Sequence, residues 1–498
     1  MIKSFFELKS GTDVRGIAVE GVPGEPINLT DDAVIAITDA FALWLSKRIK
    51  KASEDIKISV GHDTRVSADR IKRCCTETLS NRGIEVFDCG LSSTPAMFMT
   101  TVDLSCDGAV QITASHHPYN RNGLKFFTRE GGLESYELDE ILSLADSREA
   151  LPHSQGSVTE PDYMSDYAAR LRKMICDGVT AVDHAMPLKG YKIAVDAGNG
   201  AGGFYARKVL APLGADVSAS RYLEPDGMFP NHIPNPENEA AMDSARAAVT
   251  ESGAHLGIVF DTDVDRSAVV DDTGMEINRN RLIALAAAIA LHDEPGATIV
   301  TDSVTSDGLT DFIEKTLGGV HHRFKRGYRN VIDEAVRLNK EEVNTPLAIE
   351  TSGHAALREN YFLDDGAYLV TKIIIIMARL GKSGKTIGSL LRQLAEPAES
   401  IEHRIDLPKD NFREIGNEIL EKLEAFAEKQ EGWTVVKNNC EGVRVSVDRQ
   451  HGDGWFLLRL SVHDPVMPLN VESNVVDGTD IMLDKIKEFI GSLENIEF

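Results

Sequence analysis

One supersecondary unit recurs three times along the chain, in segments that begin at Lys57, Lys192 and Ala297. Each segment consists of a short strand rich in β-branched residues, a loop of small polar residues, an amphipathic helix and a second strand. The helices end at Gly83, Gly214 and Gly318. Units of this βαβ type place helices against a sheet, and the copies are too far apart in sequence for a solenoid. The sequence therefore predicts three similar mixed-sheet α/β domains.

The pattern changes after residue 397. A helix with alternating Glu and Lys at 411–430 precedes two alternating segments at 442–448 and 455–462, a strand at 470–472 and a helix from Asp480. This order predicts a C-terminal α+β domain with an antiparallel sheet. The predicted domain boundaries are 1–155, 156–280, 281–397 and 398–498. Because ligands of α/β sheets bind beyond the carboxyl ends of the strands, we expect the four domains to surround a central cleft.

The composition is that of an ordinary soluble protein, with 42% hydrophobic and 26% charged residues. A formal net charge of −25 argues against nucleic acid or an anionic membrane as a partner, since both require clustered Lys and Arg. The six cysteines lack metal-binding spacing, the apolar runs are shorter than a membrane span, and the N-terminus lacks a signal-peptide pattern. We therefore expect a cytoplasmic monomer or homodimer that binds a small molecule.

The stretch 111–127, QITASHHPYNRNGLKFF, carries the first candidate site. An apolar run from Gly108 to Ile112 gives way to polar residues, which places Ser115 on a loop just beyond the end of a strand. His116 and Lys125 are close to it in sequence and suit a hydroxyl that carries or receives an anionic group. A polar loop that merely closes a turn is the alternative.

The sharpest local pattern is FDTDVDRS, from Phe260. Carboxylates at Asp261, Asp263 and Asp265 can converge on one hard cation such as Mg²⁺, and Arg266 adds a donor for a phosphate beside it. An EF-hand is excluded, because Arg266 occupies the loop position that requires glycine and the flanking segments are strands. An acidic hairpin turn explains three aspartates poorly, so a metal site is the preferred interpretation.

Two further loops carry polar groups suited to a phosphorylated sugar. The first is ETSGH, with Glu350, Ser352 and His354 placed to hydrogen-bond hydroxyl groups. The second is RLSVHDP, in which Arg459 and Ser461 can grip an anion. Arg15 and Arg65 lie in GTDVRG and HDTR, where they could equally be surface charges. A serine, a cation site, basic donors and a hydroxyl-binding loop together suit phosphoryl transfer to and from a sugar.

These motifs resemble, in order and spacing, those of the α-D-phosphohexomutase superfamily, and most closely its phosphomannomutase/phosphoglucomutase members. TASHHP followed by NGLK resembles the active-site loop, and DTDVDR the metal loop. ETSGH resembles the sugar-recognition loop, and RLSVHDP the phosphate-binding loop. Three positions depart from the family pattern: His117 replaces Asn, Ile349 replaces Gly, and VHDP replaces the phosphate loop's x-T-E-P, which puts His463 in place of a threonine.

The resemblance implies interconversion of hexose 1-phosphate and hexose 6-phosphate, of mannose or glucose, through a phosphoserine at Ser115. Hexose 1,6-bisphosphate would be both intermediate and activator. The implied Mg²⁺ ligands are the phosphorylated Ser115, Asp261, Asp263 and Asp265. Proton transfer would involve Lys125 and His116, and charge stabilisation Arg15 and Arg266. The sugar would be held by Glu350, Ser352 and His354, and its distal phosphate by Arg459, Ser461 and His463.

Three other functions remain open at this point. A phosphoglucosamine or phospho-N-acetylglucosamine mutase would share the Glu-x-Ser-Gly-His motif. A degenerate relative would bind sugar phosphates without turnover, and the altered loop at His463 is the feature that favours it. A phosphomonoester hydrolase would use Ser115 as a transient phosphate carrier and release phosphate without isomerising the sugar.

Overall fold

The computed structural model describes residues 3–181, 183–461, 464–493 and 496. The described residues of Met1–Asn278 and Ser352–Ser389 form one compact unit, and those of Arg279–Thr351 and Leu390–Phe498 form a second. The chain thus leaves the first unit after Asn278 and returns to it at Ser352. His463 lies outside the described residues, so the prediction for its side chain has no structural counterpart here.

The first unit begins with a mixed sheet. Its elements are β1 (Lys9–Ser10), β2 (Asp13–Ile17), α1 (Asp31–Ile49), β3 (Lys57–His62), α2 (Ala68–Ser80), β4 (Glu85–Leu91), α3 (Thr94–Asp103), β5 (Gly108–Ile112), β6 (Arg121–Thr128), β7 (Gly131–Gly132), α4 (Ser135–Asp146) and β8 (Ser157–Thr159). In the described part of the chain the strand order is β1-β2-β6-β5-β3-β4-β8, with β7 beside β6. Strands β5, β3, β4 and β8 are parallel, whereas β6 is antiparallel to β5 and β2.

Helix α1 shows how local sequence and packing agree in this region. Its N-terminus is capped by the Thr30 side chain, which accepts a hydrogen bond from the Ala33 N–H, and acidic residues follow in the first turn. Its buried face includes Phe41, whose ring stacks on Phe126 of β6 at 4.5 Å between centroids. This packing covers one face of the sheet from which the Ser115 loop extends.

The unit continues through a smaller sheet. Its elements are α5 (Tyr163–Gly178), β9 (Ile193–Asp196), α6 (Glu239–Ser252), β10 (Leu256–Phe260), β11 (Ser267–Asp271) and β12 (Glu276–Ile277). The strand order is β12-β11-β10-β9, and β10 pairs antiparallel with β11 from Phe260↔Ser267 to Leu256↔Asp271. The two strands predicted to flank the three aspartates are therefore confirmed as one hairpin, with the aspartates in its turn.

The second copy of the recurring unit differs from the prediction at its second strand. Among the described residues, the segment after Gly214 pairs with β9 and its flank through the isolated bridges Lys192↔Asp216 and Asp196↔Arg221 and forms no strand. The reason is local, because the Asp216 carboxylate accepts a hydrogen bond from the Ser218 N–H and the Ser220 N–H donates to the Val217 carbonyl. These turn bonds draw the backbone out of a strand conformation.

The second unit contains a parallel sheet and, after the chain has returned to the first unit, an antiparallel one. Its first elements are α7 (Asn280–Asp293), β13 (Thr298–Thr301), α8 (Asp307–Asp311), β14 (Val320–Arg323), α9 (Tyr328–Lys340) and β15 (Leu347–Ile349). Strand β13 is parallel to both β14 and β15. The first unit then receives β16 (Ala355–Leu357), β17 (Leu363–Asp364) and α10 (Gly366–Gly381).

The C-terminal elements complete the second unit. They are β18 (Glu399–Asp406), α11 (Phe412–Ala427), β19 (Trp433–Val435), β20 (Val443–Val447), β21 (Gly454–Leu458), β22 (Val466–Ser473) and α12 (Gly478–Ile490). The strand order β18-β22-β21-β20-β19 is antiparallel throughout. Three α/β domains and a C-terminal domain with an antiparallel sheet are thus confirmed. Among the described helices, none combines the length and the apolar composition needed to span a membrane.

The buried Glu472 of β22 gives this domain a testable pH response. Its carboxylate accepts hydrogen bonds from Trp455 Nε1 at 2.9 Å and Ser400 Oγ at 3.4 Å. Burial raises the pKa of Glu472 to about 7, against the opposing charge of Arg444. A carboxyl whose pKa is higher in the folded state binds its proton more tightly there than in the unfolded chain. Stability should therefore fall as the pH rises from about 4.5, the ordinary glutamate value, to about 7.

We expect Glu472→Gln to remove this component of the pH dependence. Urea unfolding at pH 5 and pH 8 measures it, and the matched control is Glu488→Gln, an exposed carboxylate on α12. From pH 5 to pH 8 the free energy of unfolding should fall more in the wild type and in the control than in Glu472→Gln. Equal losses in all three proteins would show that Glu472 does not titrate in this range.

Candidate active site

The Ser115 loop leaves the end of β5 and returns to the sheet as β6. Ser115 lies three residues beyond Ile112, so the prediction of a loop position just after a strand is confirmed. Its backbone φ is +48°, in the left-handed region that non-glycine residues seldom occupy. The residue is only 7% exposed, and such a conformation persists only where surrounding contacts hold it.

The Ser115 hydroxyl lies among groups of opposite charge. Ser115 Oγ is 3.3 Å from Asp261 Oδ2, to which it donates, and 3.3 Å from Arg266 Nη2, which donates to it. His116 Nδ1 is also 3.3 Å from the hydroxyl and 2.8 Å from Arg266 Nη2. The loop from one sheet is thereby placed against the β10–β11 turn of another, within one compact unit.

The three predicted aspartates converge in that turn. Each of Asp261, Asp263 and Asp265 offers a carboxylate oxygen, and these oxygens lie within 4.8 Å of one another. All three residues are buried, and Val264 between them adopts φ +67°, which tightens the turn. In the part of the chain that the structure describes, Asp263 Oδ1 and Asp265 Oδ1 are buried without a hydrogen-bond partner. Buried carboxylate oxygens without donors suit a hard divalent cation.

The cluster is partly neutralised by basic side chains. Lys125 Nζ donates to Asp265 Oδ2 at 2.6 Å, and Arg266 Nε donates to Asp261 Oδ2 at 3.2 Å. Burial, followed by repulsion from the other two carboxylates, raises the pKa of Asp261 well above its usual value. Burial acts in the same direction on Asp265, but the charges of Lys125, His354 and Arg266 together outweigh it and lower the pKa of that carboxyl.

Arg15 of β2 approaches the same region from the far side of β6. It pairs with Asp13 at 2.8 Å and donates through Nη1 to the Thr113 carbonyl at 3.3 Å. Burial acts to lower the pKa of Arg15, and the carboxylates of Asp13 and Asp263 raise it above the usual value. Arg15 is therefore a charged, largely buried guanidinium beside the three-aspartate turn, and not the surface charge that its sequence context also allowed.

His116 and His354 have opposite electrostatic environments. Burial, followed by the charge of Arg266, lowers the pKa of His116 to about 3, so its imidazole is neutral at neutral pH. His354 lies on the β16 side of the first unit, where its Nδ1 hydrogen-bonds Asp364 Oδ2. Burial lowers its pKa, but Asp364 and Asp265 more than compensate and raise it above the ordinary value. His354 is thus biased toward the imidazolium form.

The remaining predicted residues are divided between the units. Ser352 is buried in the first unit, whereas Glu350, Arg459 and Ser461 belong to the second. Glu350 accepts a hydrogen bond from the Gly327 N–H at 2.6 Å. Arg459 Nη1 lies 3.8 Å from Glu441 Oε1, and Ser461 Oγ accepts a hydrogen bond from the Asp464 N–H at 3.2 Å.

Sequence reasoning missed three supporting carboxylates. Asp63 pairs with Arg65 beneath the serine loop, Asp364 orients His354, and Glu441 accepts hydrogen bonds from Ser303 Oγ and the Arg326 N–H. Only Asp63 had a local signal, because it precedes Arg65 by two residues within HDTR. Asp364 lies ten residues after His354, outside the short ETSGH motif, and Glu441 is remote in sequence from both of its partners.

Similarity to known proteins extends over most of this chain. Residues 8–150, 165–274 and 278–397 match, in order, the family domains described as phosphoglucomutase/phosphomannomutase, alpha/beta/alpha domains I, II and III. The chain is 29% identical to a phosphoglucomutase of Neisseria gonorrhoeae over 483 residues, 96% of each protein. It is 28% identical to a phosphomannomutase/phosphoglucomutase of Pseudomonas putida over 451 residues, 90% of each.

A solved structure extends the likeness to the complete architecture. A phosphoglucomutase/phosphomannomutase family protein from Burkholderia thailandensis superposes with a TM-score of 0.79 at 25% identity and covers 98% of both chains. Three family domains in sequence, relatives similar over nearly the whole length, and a serine loop placed against a three-aspartate turn all lead to one assignment. This chain belongs to the phosphoglucomutase/phosphomannomutase family of the α-D-phosphohexomutase superfamily.

Proposed function

We propose that this protein interconverts hexose 1-phosphate and hexose 6-phosphate, of mannose, glucose or both, with Ser115 as the phosphate carrier. The observation that carries the proposal is the position of Ser115 Oγ, 3.3 Å from both Asp261 Oδ2 and Arg266 Nη2 at the edge of a buried three-carboxylate turn. A hydroxyl that cycles between free and phosphorylated forms needs a site that tolerates both, with cationic groups close to the phosphate oxygens.

The proposed cycle transfers phosphate twice. In the first half, a sugar hydroxyl of the hexose monophosphate attacks the phosphorus on Ser115: the bond from phosphorus to Ser115 Oγ breaks, a bond to the sugar oxygen forms, the hydroxyl proton leaves to a base, and Ser115 Oγ takes up a proton from an acid. The bisphosphate then reorients in the site. In the second half, Ser115 Oγ attacks the phosphorus of the other phosphate and loses its proton to a base; the bond from that phosphorus to the sugar oxygen breaks, and the sugar oxygen takes up a proton as the isomerised monophosphate is released. Added hexose 1,6-bisphosphate would act as an activator because it phosphorylates Ser115.

The basic groups have distinct proposed roles in this cycle. Arg266 and Arg15 would stabilise the negative charge that spreads over the transferring group. Lys125 and His116 would flank that group as the proton-transfer residues. With a pKa of about 3, His116 is a weak acceptor at neutral pH, whereas Lys125, whose Nζ donates to Asp265, would act as a donor.

The carboxylates Asp261, Asp263 and Asp265 would hold Mg²⁺ together with the phosphate of Ser115. The fit to a hard cation is supported by Asp263 Oδ1 and Asp265 Oδ1, which are buried and accept no hydrogen bond among the described residues. When bound, such an ion supplies positive charge that stabilises the phosphoryl group in the transition state. Lys125 occupies one oxygen of Asp265, and Arg266 binds Asp261 through both its Nε and its backbone N–H, so these two residues would fix the orientation of the two carboxylates.

The residues proposed to bind the sugar are chosen because they lie in the family motifs and are mostly buried. Glu350, Ser352 and His354 would bind hydroxyl groups of the hexose, and Arg459, Ser461 and His463 would bind the phosphate that is not being transferred. The imidazolium bias of His354 supports this role, because a charged donor favours an electronegative ligand oxygen. The domain boundaries given above and a monomeric or homodimeric state remain predictions.

The first test combines intact-protein mass with an assay of three substrates. After incubation with glucose 1,6-bisphosphate, peptide mapping should find a phosphoryl adduct on Ser115. Glucose 1-phosphate or mannose 1-phosphate should then be converted to the 6-phosphate in the presence of Mg²⁺. Preferential turnover of glucosamine 1-phosphate would favour the amino-sugar mutase, and release of inorganic phosphate alone would favour the hydrolase. An absence of both adduct and turnover would leave the degenerate binding protein.

A further inference from the structure

A buried ion pair lies directly beneath the serine loop. Asp63 and Arg65 follow β3 and are 0% and 2% exposed. Arg65 Nε donates to Asp63 Oδ2 at 3.2 Å. The remaining Arg65 donors are directed at backbone carbonyls of the loop: Nη1 reaches Pro118 at 2.7 Å and Arg121 at 2.8 Å, and Nη2 reaches His117 at 2.6 Å and Ser115 itself.

The same ion pair also holds the other side of Ser115. The Ser115 N–H donates to Thr113 Oγ1 at 2.9 Å, and Thr113 Oγ1 donates to Asp63 Oδ2 at 2.7 Å. The backbone N–H of Ser115 is therefore connected to Asp63 through one hydroxyl, while its backbone carbonyl is bonded to Arg65. Together these contacts form a closed ring around the residue whose φ is +48°.

We infer that Asp63, Arg65 and Thr113 are positioning residues that hold Ser115 in its left-handed conformation and so direct its hydroxyl to Asp261 and Arg266. This inference rests on the proposed function of Ser115 as phosphate carrier. None of the three side chains has a hydrogen bond to Ser115 Oγ among the described contacts, so they act through the backbone. A guanidinium is suited to this task because its planar donors can bind several carbonyls at once.

A second, partly buried ion pair in the same domain makes no contact of this kind with the serine loop. Arg82 donates to both carboxylate oxygens of Asp39, at 2.7 and 2.8 Å, and so joins the segment after α2 to α1. Neither residue contacts the serine loop through these bonds. Arg65, by contrast, directs four of its five side-chain hydrogen bonds at the loop carbonyls. The Arg82–Asp39 pair is therefore the natural control for stability effects.

The test uses two substitutions at Thr113, one that removes the hydroxyl and one that removes the methyl group. Thr113→Val keeps the branched shape but breaks the link from the Ser115 N–H to Asp63, whereas Thr113→Ser keeps the link. We expect Thr113→Val to lower kcat by about 100-fold, because small displacements of reacting groups have effects of this size. KM should change less than about twofold, since substrate-binding groups are untouched. Thr113→Ser should recover most of the lost kcat.

Two further variants separate positioning from folding. Arg65→Lys keeps the charge but cannot bond the same set of carbonyls, so it should also lower kcat with little change in KM. Arg82→Met should lower the unfolding temperature while kcat of the folded protein stays at the wild-type value. Wild-type kcat in Thr113→Val would overturn the inference, as would equal losses in Thr113→Val and Thr113→Ser. A wild-type protein without mutase turnover would instead overturn the proposed function.

Discussion

Replacing Ser115 with alanine is expected to reduce mutase turnover by at least about four orders of magnitude, because no other described hydroxyl occupies its place between Asp261 and Arg266. The fold should remain intact. Serine and alanine share the same backbone strain at φ +48°, and the hydroxyl makes only contacts of 3.3 Å to its neighbours. The change in the free energy of unfolding should be about 1 kcal/mol or less. Turnover with added hexose 1,6-bisphosphate, together with intact mass, measures both parts.

Ser59 provides the matched control for this experiment. It is a fully buried serine in β3 of the same sheet, and its hydroxyl lies 2.5 Å from Thr100 Oγ1. Ser59→Ala should cost about 1 kcal/mol of stability and retain both the phosphoryl adduct and turnover. Appreciable turnover by Ser115→Ala, or an adduct mapped to another residue in that variant, would remove Ser115 from the mechanism.

Asp263→Asn is expected to raise the Mg²⁺ concentration required for half-maximal turnover by at least about 100-fold. The reason is that it removes one of the three proposed ligand charges. In the absence of metal, the same substitution should be favourable, because it should increase the stability of the folded protein. Three buried carboxylates repel one another when no cation is bound, so neutralising one should stabilise the metal-free protein. Asparagine can still accept the hydrogen bond that Thr94 Oγ1 donates to Asp263.

Thermal unfolding with and without Mg²⁺ provides a readout that does not depend on activity. The wild-type unfolding temperature should rise on addition of Mg²⁺, whereas that of Asp263→Asn should start higher and barely move. Asp271→Asn is the control, because Asp271 lies at the other end of β11. Its carboxylate accepts hydrogen bonds from Thr273 and from the Met275 N–H in the next turn. An unchanged Mg²⁺ titration in Asp263→Asn would place the metal site elsewhere.

The local parts of this site were predictable because each is encoded in a few consecutive residues. The turn with Asp261, Asp263 and Asp265 follows a strand whose five residues are all buried, and carboxylates at alternate positions between two strands suit a bound cation. The loop position of Ser115 likewise follows from the end of an apolar run. In contrast, the prediction of a second strand in the Lys192 segment was wrong. Side-chain and turn hydrogen bonds at Asp216–Ser220 compete with strand pairing there.

The sequence identified the charged residues of the motifs, but it did not predict their burial, their partners or their pKa values. Arg65 is compatible with an exposed charge when read in HDTR, yet its guanidinium is buried and bonded to carbonyls more than fifty residues away. His116 could be read as a proton carrier, but its pKa depends on burial and on the distance to Arg266, which belongs to another sheet. Such properties arise from neighbours that are remote in sequence.

By itself the sequence determined the three recurrent α/β units, the antiparallel C-terminal sheet, the family and the chemistry available at each motif. These features depend on hydrophobic periodicity, turn residues and short-range spacing, all of which are local. Only the tertiary structure decided that the Ser115 hydroxyl meets Asp261 and Arg266, that two oxygens of the aspartate turn accept no hydrogen bond from the described residues, and that Asp63 and Arg65 hold the strained serine. These contacts join residues from separate strands, and their geometry and burial exist only once the sheets have packed.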